Sequence, residues 1–149
     1  MNKRLRFAIA IALAMLGFGG IQSLTGPLGA AVTAERVQSE DQILASAFSN
    51  RQSDLQVQGS GTVLKLLADD NKGSRHQRFI LRLDSGQTVL VAHNIDLAPR
   101  IDGISVGDRV AFYGEYEWNP QGGVIHWTHD DPAGRHVAGW LRHGGQMYR

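Results

Sequence analysis

From Gln56 onward apolar and polar residues alternate with a period of two, and glycine-rich or polar turns break the pattern roughly every ten residues. That rhythm predicts a series of short strands. The expected strands are Gly61 to Ala68, His76 to Leu83, Gln87 to His93, Arg109 to Trp118 and Val124 to Thr128. In the second, Phe79, Leu81 and Leu83 face one way and Arg78, Ile80 and Arg82 the other. In the fourth, Val110, Phe112, Gly114 and Tyr116 alternate with Ala111, Tyr113, Glu115 and Glu117. Between the third and fourth strands, Asn94 to Pro99 reads as an excursion that leaves the sheet, and Gly107-Asp108 as a tight turn back into it. Five strands with that break predict a mainly β fold, a small five-stranded OB-like Greek-key barrel.

Upstream the period changes. Ser39-Glu40-Asp41-Gln42 has the form of a capping box with acids in the first turn, so a helix is expected to begin there. Ile43, Leu44, Ala47, Phe48 and Arg51 follow at helical spacing, and Ser49, Asn50 and Gln52 to Asp54 form its exit. Further upstream, Lys3, Arg4 and Arg6 precede an apolar or glycine run from Phe7 to Phe18, the pattern of a secretory signal. Cleavage is expected near Ala34. The alternative is an uncleaved anchor, which Gly17, Gly19, Gly20, Gln22 and Ser23 dilute. The chain then divides into residues 1–34 as signal peptide, 35–55 as helix and linker, and 56–149 as the β domain, in a periplasmic or secreted protein.

Composition changes the picture in two places. The full chain carries 15 basic and 14 acidic residues. Three of the bases and none of the acids lie within residues 1–34, which leaves 12 against 14, a balance of −2. Bulk nucleic-acid binding is therefore not expected, and membrane contact only if the N-terminal segment is retained. There is no cysteine, so neither disulfides nor thiol chemistry contribute, and the chain depends on one hydrophobic core.

The candidate chemistry gathers at the C-terminus. Four of the six histidines and two of the three tryptophans lie between Gly122 and Arg149. His126, His129, His136 and Asp131 offer the imidazoles and carboxylate that a transition-metal ion such as zinc accepts. On a straight strand His126 and His129 point to opposite faces, so the chain must bend near Thr128 for both to reach one ion. The same residues also serve as a structural lock, bonding backbone and acids while the tryptophans pack. A metal-assisted hydrolase of phosphodiesters or other esters is the catalytic version of this cluster. The sequence has no nucleophile-elbow serine, phosphate-cradling glycine loop or His-Glu-x-x-His pattern to support it. The expected function is thus a binding module for an unknown oligomeric ligand or partner protein. Tyr113, Trp118, Trp127 and Trp140 are the stacking candidates, and His93, Asn94, Asp96 and Arg100 form a second polar cluster after a strand. Core packing explains the tryptophans equally, and an Asx-type loop cap explains Asn94 and Asp96. Arg75, Arg78 and Arg82 form a local basic strip that an ordinary solvated strand face also accounts for.

The segments Ala92 to Arg100, Gly107-Asp108-x-Val110, Gly114-Glu115-Tyr116, Gly122 to Pro132 with its His126-Trp127-Thr128-His129 core, and His136-x-x-Gly139-Trp140 resemble an uncharacterised bacterial family. This is the domain of unknown function family 3465, and the resemblance spans roughly Gln56 to Tyr148. It implies a small exported OB-like protein and says nothing about activity.

Overall fold

The computed structural model describes residues 27–149. One helix, α1 (Pro27–Ser49), precedes seven strands: β1 (Leu55–Asp70), β2 (His76–Leu83), β3 (Thr88–Asn94), β4 (Arg109–Glu117), β5 (Val124–His126), β6 (Trp140–His143) and β7 (Gln146–Tyr148). They form one sheet in the order β1-β2-β3-β5-β4-β6-β7, and β1 also pairs with β4. The first five strands thus close into a ring, and β6 and β7 extend from β4. Among the described residues the protein is mainly β with one helix, as the periodicity predicts.

The length of β1 explains the closure. Leu55 to Thr62 pair with β4, and Gly61 to Asp70 pair with β2, with register shifts between Val63 and Lys65 and between Leu67 and Asp70. One strand therefore serves two neighbours. Expecting it to begin at Gly61 missed residues 55–60, because Gly59, Ser60 and Gly61 read as turn punctuation while pairing with β4 overrides their weak strand preference. Inward residues of the ring meet in one core, in which Phe79, Leu81, Val91, Phe112, Tyr116 and Ile125 are completely buried. The excursion after β3 is pinned to this ring by Gln77, whose amide donates to the Ile101 carbonyl and accepts the Ile101 N–H, each at 2.9 Å.

The helix departs from expectation at its start. Ser39 lies within it, not at its N-terminus, because the helix-favouring residues Ala30, Ala31 and Ala34 carry the pattern further upstream. The helix also runs through the bond after Ala34. Residues 1–26, which hold most of the expected signal segment, lie outside the described residues. Among the described residues no helix is long and apolar enough to cross a membrane. Asp41, expected in a first turn, is instead buried in mid-helix and accepts the Ser85 N–H at 2.6 Å, tying α1 to the β2–β3 turn. Leu44 and Ala47 bury the same face, while Ile43 is half exposed. The exit at Ser49 agrees with the sequence reading, and there Trp118 clamps the helix. Its indole N–H donates to the Phe48 carbonyl at 3.1 Å, and Phe48 stacks on its ring.

Beyond the five expected strands, the C-terminus forms the β6–β7 hairpin. Gly144 and Gly145 close it, both at positive φ as a two-residue hairpin turn requires. β6 pairs with the N-terminal half of β4, from Val110↔His143 to Tyr113↔Trp140, while β5 pairs with the C-terminal half.

Candidate functional site

β4 and β5 are antiparallel, and their register sets Glu115 opposite His126 and Glu117 opposite Val124. Side chains alternate across a strand, so Glu115, Glu117 and His126 share the outer face, where opposed and diagonal neighbours are within reach of one another. His126 Nε2 stands 3.3 Å from Glu115 Oε1 and 3.7 Å from Glu117 Oε1. That nitrogen is shielded from solvent and has no hydrogen-bond partner among the described residues. One ligand atom from each of the three residues lies within 4.8 Å of the other two.

The second oxygen of Glu115, Oε2, accepts a hydrogen bond from His136 Nε2 at 2.6 Å, and His136 Nδ1 donates to the Val137 carbonyl at 2.8 Å. The Val137 carbonyl can only accept, so Nδ1 donates, and the contact of Nε2 with the Glu115 carboxyl favours the imidazolium form. Burial opposes that charge. The Glu115 hydrogen bond, the Val137 carbonyl and the charges of Glu115 and Asp131 outweigh it and raise the His136 pKa above the ordinary histidine value. Trp127 stacks flat on this ring, with centroids 4.0 Å apart and planes at 6°.

The bend that permits this falls at Trp127, one residue before the expected place. Its φ of 52° is left-handed, a conformation rare for a bulky residue. The bent segment crosses close over β4 and the approach to β6, and two glycines make the space. A Cβ on Gly114 would lie 2.5 Å from the His126 carbonyl oxygen, and one on Gly139 would lie 2.0 Å from that of Trp127. His93, fully buried, holds the far side: its Nε2 donates to the Pro99 carbonyl at 3.1 Å, which leaves Nδ1 to accept from the Thr128 hydroxyl at 2.8 Å.

Of the four expected metal ligands, the structure brings together His126 and His136, joined through Glu115. His129 is buried, its Nδ1 donating to the Asp130 carbonyl at 2.7 Å and its ring tilted on Trp127. Asp131 organises a turn, accepting the N–H groups of Ala133, Arg135 and His136, bonds that hold its carboxyl below the usual range. The second polar cluster does not converge on this place. His93 packs as described; Asn94 accepts the Asp96 N–H at 2.9 Å; Asp96 pairs with Arg75; and Arg100 pairs with Asp69 and Asp102. Trp118 serves the helix, and Trp140 packs on Tyr113 with Arg142 over its ring. The basic strip is occupied in part, since Arg78 donates twice to the Ala68 carbonyl. Sequence reasoning missed Glu115 and Glu117. The available signal was their place on the outer face of β4, equidistant with His126 and Val124 from the turn that joins the two strands.

Two cavities of about 340 Å³ each open on the outer face beside this cluster. Asp70, His76, Arg78, Ala92, Glu117, Val124 and His126 line one. The other is lined by Ser74, His76, Asn94, Leu97, His126, Trp127 and His129. Sharing His76 and His126, they adjoin as one groove across β2, β3 and β5, its lining mixing polar side chains with Ala92, Val124, Leu97 and Trp127.

Fold and site together define a small mainly β protein, a ring of five strands with an imidazole–carboxylate cluster on its outer face. The chain belongs to the family described as Protein of unknown function (DUF3465), whose model matches residues 28–149. The match bears out the resemblance and extends it into the helix. No curated protein matches the chain.

Proposed function

We propose that this protein is an exported binding module that seats a short polar segment, such as a peptide stretch of a partner, in the groove across β2, β3 and β5. The same reading takes the ring as an OB-like Greek-key barrel. Its strand order, with β1 rejoining β4 and a parallel β3–β5 pair, supports that assignment, and such folds bind polymers over the face of strands two and three. The observation that carries the proposal is the joining of two cavities at His76 and His126, where polar side chains stand among apolar ones. Acids at Asp70 and Glu117, a base at Arg78 and the Asn94 amide line them, so a ligand of mixed charge fits better than a polyanion.

A hydrolase built on His126, His129, His136 and Asp131 draws less support, because Asp131 and His129 are spent on backbone groups. The test is selection of random heptapeptides on the full-length chain in the presence of chelator, with Ala92→Trp as a variant whose indole fills the groove floor. Sequences that bind the wild type and lose at least about tenfold in affinity on Ala92→Trp are expected, the cost of one lost anchor contact. A pool that binds both proteins equally, or neither, overturns the reading.

A further inference from the structure

We infer that Glu115, Glu117 and His126 form a binding site for one divalent transition-metal ion of the zinc class. Three bonds of about 2.0–2.2 Å in tetrahedral array place ligand atoms about 3.3–3.6 Å apart. Of the two separations from His126 Nε2, 3.3 Å falls in that range and 3.7 Å lies just beyond it, within a small side-chain adjustment of it. The alternative occupant of the space is a proton on His126, shared with the two carboxylates. That arrangement would align Nε2–H with an oxygen, as charge-assisted hydrogen bonds do. Instead Nε2 is buried without a hydrogen bond, an orphaned polar atom that a bound ion would satisfy.

Glu115 is prepared for the role. His136 holds its Oε2 from outside, which fixes Oε1 toward the cluster, as outer hydrogen bonds orient metal-bound carboxylates. His136 is thus a positioning residue, and Trp127 fixes its ring by stacking. An imidazole beside two carboxylates suits zinc, cobalt or manganese rather than magnesium or calcium, which prefer all-oxygen shells. Three protein ligands leave a fourth position open, and because Glu117 and His126 also line the groove, that position faces it. The inference stands on the side-chain cluster and not on the peptide ligand, so either can fail without the other.

The test is titration of the untagged, chelator-stripped, full-length chain with Zn²⁺ alone and Co²⁺ alone. One ion per chain is expected, and Mg²⁺ does not compete. Glu117→Gln and His126→Gln each weaken Zn²⁺ binding about 10- to 100-fold, at least the cost of removing an outer partner. His129→Ala leaves it unchanged. Thermal melts check that each variant folds, and a second measurement needs no variant: Co²⁺ broadens the His126 ring proton resonances at lower occupancy than those of His129 or His143. Absence of stoichiometric binding, binding that survives both substitutions, or broadening centred on another histidine overturns the inference.

Discussion

Burial keeps the His93 imidazole neutral, lowering its pKa from 6.5 to about 4 against the smaller opposing effect of its bond to the Pro99 carbonyl. The nearby His129 and His76 push it the same way as burial. Between those two values the unfolded chain binds a proton that the folded chain does not, so stability rises with pH across that window. Acidification from about pH 6.5 to about pH 4 is expected to remove about 3 kcal/mol through this residue alone. Urea melts across that range check it, and a His93→Gln variant with the same acid slope would refute it. Gly139 makes a second, steric case. Gly139→Ala drives a methyl into the Trp127 carbonyl, and a loss of about 3 kcal/mol is expected, the upper end for overpacking. Thermal denaturation measures it. In sequence the six histidines look alike, and only burial and partners separate His93, whose pKa is pushed down, from His136, whose pKa is pushed up.

The β6–β7 hairpin makes the C-terminus part of the sheet. Leu141, completely buried, faces Phe112 across the β4–β6 pair. Leu141→Ala is expected to cost about 2–5 kcal/mol, read by chemical denaturation, whereas Met147→Ala on the exposed strand β7 costs little. A cost near zero at Leu141 would mean that the hairpin is only loosely attached. Strand β2 was legible to the residue because its two faces differ cleanly, Phe79, Leu81 and Leu83 against Arg78 and Arg82. Strands β6 and β7 were not, since four and three residues carry too little alternation and their histidine and tryptophan drew attention as chemistry. The helix start was misplaced for a related reason: a local capping pattern at Ser39 competes with alanine-rich propensity, and propensity summed over the longer segment prevails.

At the scale of the whole molecule, the ring closes through unequal seams. β1 and β2 pair over most of their lengths, but β3 and β5 meet in parallel at only two positions, Leu90↔Val124 and Val91↔Ile125. A short parallel pair is the weaker ladder, so local opening is expected there first. Native-state hydrogen exchange should find the Leu90 amide, bonded to the Gly123 carbonyl, less protected than the amides of Phe79 and Leu81 in β2. Equal protection would show that the ring opens only as a unit. By itself the sequence determined the mainly β class, the faces of its regular strands, the excursion after β3 and the C-terminal place where polar chemistry collects, because these follow from local periodicity and turn residues. Tertiary structure decided which carboxylates meet His126, which imidazoles are buried and which is pushed toward its charged form. Those outcomes depend on strand register and on the close crossing at Gly114 and Gly139, contacts between residues far apart in the chain that no local pattern encodes.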